Sequence, residues 1–426
     1  MGIKLRLTLM NFLQYFIWGA WLITIGAYWF QNKHWPVEKF GIIFSTMGIA
    51  SLFMPSITGI IADRFINAEK LYGVMHLGGC VVLFLLPSVT DPDVFFWVIL
   101  VNMIFYMPTI SLSIAVGYAA LKRGNQDVVK AYPPIRVWGT IGFIAALWTV
   151  SLLGFETSAY QFYVAALASG LLGIYAFTLP PCPPQNSQTT GQGASQMLGL
   201  QSFALLRNSK MAVFFLFALL LGAALQLTNA YGDTFLHDFG GDPRYASTVA
   251  VKYPAIIMSI SQISETLFIL AIPFFLKRFG IKQVMLISML AWVLRFGLFA
   301  YGNPGDGLWM VILSCIVYGM AFDFFNISGS LFVETQTHSA IRASAQGLFM
   351  MMTNGVGAVL GSLVSGFVIR EHFTNADGSK DWPGIWLGFA GYALVVAVLF
   401  VFMFKHKHTH TNNEIEAANA AERTPH

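Results

Sequence analysis

The chain has 426 residues, of which 56% are hydrophobic and only 10% are charged. A soluble protein has about a quarter of its residues charged, so this composition excludes a water-soluble protein and indicates a membrane protein. The net charge of +4 is small, and no basic run is long enough to follow a phosphate backbone, so nucleic acid is not an expected partner.

Apolar segments recur along the whole chain, each roughly 18–25 residues long, which is enough to cross a bilayer. The backbone of a lipid-exposed segment must satisfy its own hydrogen bonds, so segments of this length are expected to be helices. The sequence therefore predicts an all-α integral membrane protein with twelve transmembrane helices. In chain order the spans are 7–30, 40–61, 71–88, 95–119, 135–153, 160–179, 211–232, 255–276, 283–301, 308–332, 343–368 and 384–404.

Residues 181–209 interrupt this pattern midway and are rich in Pro, Gln, Ser and Gly. Six spans lie on each side of this segment. We therefore expect an N-terminal six-helix bundle at 1–180, a cytoplasmic linker at 181–209, a C-terminal six-helix bundle at 210–405 and a cytoplasmic tail at 406–426.

The positions of Lys and Arg predict the orientation in the membrane. Sixteen of the 24 lie in the N-terminus, the loops after even-numbered spans or the tail, whereas six lie in the opposite loops. Because positive residues concentrate on the cytoplasmic side, both termini are expected in the cytoplasm.

Four ionisable residues fall inside predicted spans, namely Arg136, Glu265, Arg295 and Asp323. A charge at the centre of a membrane helix costs at least about 2.5–3.5 kcal/mol, so such residues indicate a polar pathway. Arg295 has no polar companion at helical spacing, and for this residue a structural ion pair or snorkelling toward the outer surface is the expected role.

Four predicted helices each carry a stripe of polar and aromatic residues. In the fifth span the spacing i, i+4, i+7 puts a cation, a hydroxyl and an aromatic ring on one face. Stripes of this kind are expected to face each other or water rather than lipid. The residues are Arg136, Thr140 and Phe143 in the fifth span, Gln226 and Asn229 in the seventh, Gln262 and Glu265 in the eighth, and Tyr318, Phe322 and Asp323 in the tenth.

The two intramembrane cations and two anions cancel, which favours a neutral ligand. Amides and carboxylates suit hydroxyl groups, while aromatic rings offer a stacking surface. A nucleoside needs both, and so does a sugar, so the residues alone do not separate these ligands. Structural roles also stay open: the acids can pair with buried bases, the amides can join helices, and the rings can simply pack.

Several strings point to a known family. The segment Gly59-Ile-Ile-Ala-Asp63-Arg64 is similar to the G-x-x-x-D-R loop motif of the major facilitator superfamily. More specific are FLQYFIWGAWL (12–22), YPPIRVWGTIGF (132–143), LQLTNAYGDTFLHDF (225–239), SISQISETLFIL (259–270), YGMAFDFFNISGSLFVE (318–334) and IRASAQGLFMMMTNG (341–355). Together they resemble the bacterial nucleoside:proton symporters, which include the nucleoside and xanthosine permeases.

The resemblance implies a major facilitator fold that imports nucleosides with protons across the bacterial inner membrane by alternating access. It implies a monomeric transporter in the lipid bilayer, not an enzyme, with no cofactor and no metal. A transporter of another neutral polar solute such as a sugar, or a membrane nutrient sensor that does not transport, remains the alternative.

The resemblance also carries over the ten stripe residues as substrate-binding residues. We expect Gln226, Asn229, Gln262 and Glu265 to bind the ribose, and the rings of Phe143, Tyr318 and Phe322 to frame the base. Arg136 and Thr140 are expected to bond the polar edge of the base. Asp323 and Glu265 are the predicted proton-coupling residues, since a desolvated carboxylate can exchange a proton near neutral pH.

Overall fold

The computed structural model describes residues 2–126, 128–184, 200–337 and 339–406, and these are almost entirely helical. The all-α class predicted from the sequence is confirmed. Most of the predicted linker and nearly all of the predicted tail, at 185–199 and 407–426, lie outside the described residues. The main helices are α1 Ile3–Gly19, α2 Val37–Arg64, α3 Ala68–Leu85, α4 Pro92–Arg123, α5 Val128–Leu152, α6 Tyr160–Ala176, α7 Ser209–Asp238, α8 Pro254–Tyr301, α9 Leu308–Gln336, α10 Ser339–Met350, α11 Ala358–Phe373 and α12 Trp382–Met403.

Ten of the twelve predicted spans fall on a single one of these helices. The first, 7–30, runs over α1 and, after a turn, the short helix Ile25–Ala27 and the π-helical stretch Tyr28–Asn32. Within the described residues, nine helical segments are long and apolar enough to cross a membrane. Helix α8 contains the eighth and ninth predicted spans, and Gly280 separates them with a φ of 75° that residues other than glycine rarely adopt. Helices α10 and α11, with the π-helical stretch Met351–Gly357 between them, form the eleventh.

Helix α4 shows how polar residues set the ends of a span. The Asp91 side chain accepts hydrogen bonds from the backbone N–H groups of Asp93 and Val94, and proline occupies the first helical position. Lys122 and Arg123 lie in the last turn, where positive charge complements the helix dipole. The apolar run between these ends is thus bounded by groups that favour water.

By its backbone contacts the chain divides into two compact units. The first unit comprises Met1–Gly193, Gln226–Ser259 and Ala358–His372, and the second comprises Ala194–Leu225, Ile260–Gly357 and Phe373–His426. The division into two six-helix bundles stays a prediction.

In the first unit, helices α1 and α5 pack with their backbones in close approach. A Cβ at Gly19 would lie 2.5 Å from the carbonyl oxygen of Phe143, and one at Gly142 would overlap the backbone of Phe12. Only glycine allows this contact, as is common where membrane helices pack through small residues. It brings the polar stripe of α5 against α1.

The second unit contains a similar crossing of α8 and α9. A Cβ at Gly319 would lie 2.6 Å from the backbone of Ser264 and 2.7 Å from the Glu265 nitrogen. The Ser264 hydroxyl donates a hydrogen bond to the Ile316 carbonyl at the same crossing. The backbone of Glu265 therefore lies directly beside the turn of α9 that carries Tyr318.

Candidate functional site

The structure places five of the ten sequence-predicted site residues in each unit. Those in the first unit are Arg136, Thr140, Phe143, Gln226 and Asn229, and those in the second are Gln262, Glu265, Tyr318, Phe322 and Asp323. Their joint role in binding substrate stays a prediction.

The stripe on α5 continues onto aromatic residues of α1. The Arg136 guanidinium lies 4.0 Å from the ring centre of Tyr15, a cation–π contact. The Phe143 ring meets the edge of Trp18 at 6.5 Å between centroids. Arg136 and Thr140 are half-buried, so both residues remain partly accessible.

Beneath this stripe lies a buried polar network that the sequence analysis did not predict. The Gln14 amide nitrogen donates to Thr109 Oγ1 at 2.8 Å. Its Oε1 accepts from the Tyr72 hydroxyl at 2.7 Å and from His76 Nε2 at 2.9 Å. An amide oxygen can only accept, so His76 carries its proton on Nε2.

This network joins three helices around one side chain. Gln14 is 0% exposed and His76 is 1% exposed. The Tyr106 hydroxyl also donates to the Gln14 carbonyl at 2.7 Å. The signal available in the sequence was a glutamine and a histidine inside apolar spans, and only the structure shows that they meet.

Two amides lie on consecutive turns of α7. Gln226 is 3% exposed, and its Oε1 has no hydrogen-bond partner among the described residues. Asn229 is half-buried. An unpaired acceptor in a buried amide is costly, so Gln226 is well suited to accept a hydrogen bond from a ligand hydroxyl.

The second unit presents two parallel rings beside a carboxylate. Tyr318 and Phe322 stack at 5.8 Å with an angle of 7° between their planes, and Trp292 meets the edge of Tyr318 at 6.0 Å. Asp323 is 4% exposed, and its Oδ2 has no hydrogen-bond partner in the described part of the chain. On the adjoining helix α8, Gln262 and Glu265 are half-buried and three residues apart.

Arg295 differs from its sequence-based interpretation. Its side chain is 0% exposed, so the snorkelling interpretation is wrong. One guanidinium nitrogen donates to the Ser314 carbonyl at 2.6 Å, and the group lies 4.7 Å from the ring centre of Tyr318. The Ser314 carbonyl and the Tyr318 ring come from α9, while the Phe299 ring, 5.0 Å from the guanidinium, lies one turn away on its own helix. Helical spacing could not reveal the contacts from α9.

A small recess of the second unit adds polar groups that the sequence analysis did not select. Asn326 and Asn354 project into it near Phe322. The Asn326 amide nitrogen donates to the Phe322 backbone carbonyl at 3.2 Å. The lining residues are Leu221, Gly222, Leu225, Trp292, Ala321, Phe322, Phe325, Asn326, Thr353 and Asn354.

Each unit therefore combines amides, aromatic rings and a charged group within membrane-crossing helices. A membrane helix is stable in lipid without these groups. Each polar or charged group raises the free energy of the helix in the membrane unless it meets a polar partner. A helical fold with polar groups of this kind defines a membrane transporter for a polar solute.

Comparison with known families identifies the kind of transporter. The sequence model of the nucleoside H+ symporters matches residues 1–409. The chain belongs to this family, as its sequence strings predicted.

Relatives match over nearly their whole length. The chain is 56% identical to the xanthosine permease of Escherichia coli over 94% of its own length and 95% of that protein. It is 51% identical to the nucleoside permease NupG of the same organism, again over 94% of this chain and 95% of that protein.

Solved structures agree with these relatives. The chain matches a crystal structure of the nucleoside transporter NupG with a TM-score of 0.89, covering 96% of this chain and 100% of that one at 51% identity. A POT family transporter, solved in complex with a thioalcohol-conjugated peptide, has a TM-score of 0.70 over 94% of this chain and 95% of that one. At 14% identity the latter shows the shared fold alone. The major facilitator fold predicted from the sequence is thereby confirmed.

Proposed function

We propose that this protein imports nucleosides together with protons by alternating access. The observation that carries this proposal is the match to the nucleoside H+ symporter family over residues 1–409, which include every candidate site residue. The chemistry of the site supports it, because rings, amides and a buried carboxylate together suit a base and a ribose.

The stripe residues have distinct roles in this proposal. The rings of Phe143, Tyr318 and Phe322 frame the base, where stacking in comparable sites contributes roughly 1–3 kcal/mol per base. Arg136 and Thr140 bond the polar edge of the base. The parallel rings of Tyr318 and Phe322 support this role, since they place two aromatic side chains in one orientation on neighbouring turns of α9.

The ribose hydroxyls are bound by the amides of Gln226, Asn229 and Gln262 and by Glu265. The unpaired Oε1 of Gln226 supports this assignment. A ribose hydroxyl that donates to this oxygen supplies the missing hydrogen bond. Binding then removes the desolvation penalty that the unpaired acceptor carries in the unliganded protein.

Asp323 and Glu265 carry the transported proton. Asp323 is nearly inaccessible to water, and a carboxylate in that setting exchanges its proton in response to small changes nearby, such as a bound substrate. Coupling then follows because proton and nucleoside each alter the binding of the other.

We further propose that the protein works as a monomer in a bacterial inner membrane with both termini in the cytoplasm. The excess of Lys and Arg in the N-terminus and the even-numbered loops supports this orientation. The two halves of the chain, 1–180 and 210–405, act as the moving bundles, and 181–209 tethers them.

Uptake into proteoliposomes tests the proposal. Purified protein is reconstituted, and accumulation of radiolabelled uridine is followed with an inward proton gradient, with and without a protonophore. Accumulation that the protonophore abolishes is the expected result. A folded preparation that neither accumulates uridine nor shows competition by any nucleoside would refute nucleoside import.

Competition by unlabelled solutes then defines the substrate. Xanthosine and uridine are the first pair to compare, since the relatives at 56% and 51% identity are a xanthosine permease and a nucleoside permease. Hexoses and maltose test the sugar alternative, because a maltose permease of Geobacillus stearothermophilus is 24% identical over 85% of this chain and 87% of that protein. Binding without any uptake would favour a nutrient sensor.

A further inference from the structure

A second group of buried ionisable residues lies in the first unit, apart from the residues assigned above. His237 Nε2 donates a hydrogen bond to Glu156 Oε2 at 2.6 Å, and the same nitrogen lies 3.7 Å from Asp233 Oδ2. Glu156 and Asp233 are 3% and 1% exposed. Nucleoside binding as proposed does not use any of the three.

Asp233 is the unusual member of this cluster. Neither of its carboxylate oxygens has a hydrogen-bond partner among the described residues, although the side chain is fully buried. Glu156, by contrast, is held in place: its Oε1 accepts from the Ala255 backbone N–H at 3.3 Å, and Gln161 donates to its carbonyl at 2.8 Å. The Asp233 carboxylate therefore lies next to the His237–Glu156 pair, and no described group donates a hydrogen bond to it.

The charges of the cluster do not balance. Two carboxylates face one imidazole, which carries at most one positive charge, and the next ionisable group along α7 that interacts with His237 is another acid, Asp238. No Lys or Arg takes part in the described hydrogen bonds and ion pairs of Glu156, Asp233 or His237. One imidazolium offsets only one of the two buried carboxylates, and the remaining negative charge is neutralised when the cluster binds a further proton.

The cluster joins parts of the chain that are far apart in sequence. Glu156 lies in the connection between α5 and α6, and the two other residues lie in the last turns of α7, at its predicted periplasmic end. On the same stretch of α7, Tyr231 meets the edge of Phe40 at 5.8 Å. In a carrier that works by alternating access, access from this end requires such contacts to separate.

We propose that Glu156, Asp233 and His237 form a proton-binding site whose occupancy holds the end of α7 against the connection between α5 and α6. We call the state in which the end of α7 contacts this connection the joined state, and the state without this contact the separated state. The bound proton removes the excess negative charge, so the joined state is favoured when the site is occupied. Loss of the proton leaves repelling carboxylates and favours separation. This site acts on the opening of one end and is separate from the transported proton at Asp323 and Glu265.

The joined state therefore holds one more proton than the separated state. By linkage, the ratio of separated to joined molecules rises with pH, by at most about tenfold per pH unit for a single proton. Because Asp233→Asn keeps the shape of the side chain without its charge, this variant is expected to stay joined at every pH.

Hydrogen–deuterium exchange measures this equilibrium without depending on transport. The full-length protein in lipid nanodiscs is labelled over a range of pH, and exchange in the stretches 153–160 and 230–240 is corrected for intrinsic chemistry. In the wild type the corrected exchange is expected to rise with pH, approaching about tenfold per pH unit. In Asp233→Asn it is expected to stay low and flat.

Asp242→Asn is the matched control. Asp242 lies just beyond the same helix, but its side chain is partly exposed and pairs with the exposed Arg244 at 2.7 Å. The hydrogen bonds from Arg244 hold the pKa of Asp242 below its usual range, so this carboxylate stays ionised while the cluster titrates. The control variant is expected to keep the pH response of the wild type.

Glu156→Gln serves as the second variant if Asp233→Asn fails to fold, and it is expected to flatten the response in the same way. A wild type without excess pH dependence, or folded variants that retain the slope of the wild type, would overturn the proposal. So would a zinc ion bound tightly by the wild type and lost in Asp233→Asn, because the cluster would then hold a metal. None of these outcomes bears on nucleoside uptake, which is measured separately.

Discussion

Replacing Gln14 by leucine tests whether the buried network under the α5 stripe stabilises the fold. The Gln14 side chain makes three hydrogen bonds to other helices, with Thr109, Tyr72 and His76. Interhelical hydrogen bonds in membrane proteins contribute about 0.6 kcal/mol on average and about 1.7 kcal/mol at most, so Gln14→Leu should reduce the free energy of unfolding by about 2 kcal/mol, with an upper bound of about 5 kcal/mol. The three partners would also be left buried without a replacement.

Asn11→Leu is the matched control on the same helix. Asn11 is also 0% exposed, but its amide makes one bond, to the Leu7 carbonyl of its own helix, and its Oδ1 has no partner among the described residues. Removing such a group costs little, since the backbone carbonyl keeps its helical bond and an unsatisfied acceptor disappears. We expect a change within about 1 kcal/mol.

Unfolding of the purified variants in mixed micelles, titrated with a denaturing detergent and followed by tryptophan fluorescence, measures the difference. The variants must first elute as monodisperse protein, so that aggregation does not enter the comparison. Equal midpoints for Gln14→Leu and Asn11→Leu would refute the reasoning, because the three interhelical bonds would then contribute nothing measurable.

Three further predictions concern transport. Asp323→Asn and Glu265→Gln should each abolish proton-driven accumulation while nucleoside exchange between equal pools persists; equal loss of both activities would make the two acids substrate ligands. Arg136→Lys should weaken nucleoside binding about tenfold, because lysine lacks the planar fork that stacks on Tyr15, and equilibrium binding of labelled uridine measures this. Phe322→Leu should weaken binding roughly tenfold or more through lost stacking, whereas Phe322→Tyr should retain it, and similar losses in the two variants would argue against a stacking role.

Much of the fold can be predicted from the local sequence. The length and spacing of the apolar segments specify membrane helices, because in lipid only a helix satisfies the backbone of a single segment. The structure differs from this prediction at Gly280, where the eighth and ninth predicted spans follow each other directly, without the loop that was expected between them. Apolar spacing alone does not report whether a charged break between spans is a loop or a kink.

The candidate site was predicted only where its residues share a helix. The stripe of Arg136, Thr140 and Phe143 could be read from its spacing, and so could the neighbouring rings of Tyr318 and Phe322. The contacts of Arg295 with Ser314 and Tyr318 could not, since these two residues belong to another helix.

The cluster of Glu156, Asp233 and His237 shows the same limit. Asp233 and His237 stand four residues apart in a string that the sequence analysis quoted, yet they lie near the end of a span, where ionisable residues are common. They form a cluster only because Asp233 is buried and because Glu156, 81 residues before His237 in the sequence, contacts His237 in the folded chain.

The sequence by itself determined the membrane class, the positions of the helices, the family and the types of polar group that enter the membrane. These depend on hydropathy, helical spacing and local strings, which the order of residues contains directly. The tertiary structure alone decided which polar groups meet, which are buried and which lack a partner. Such properties arise from contacts between helices that are remote in sequence, and side chains such as Gln14 and Asp233 acquire their energetic meaning only there.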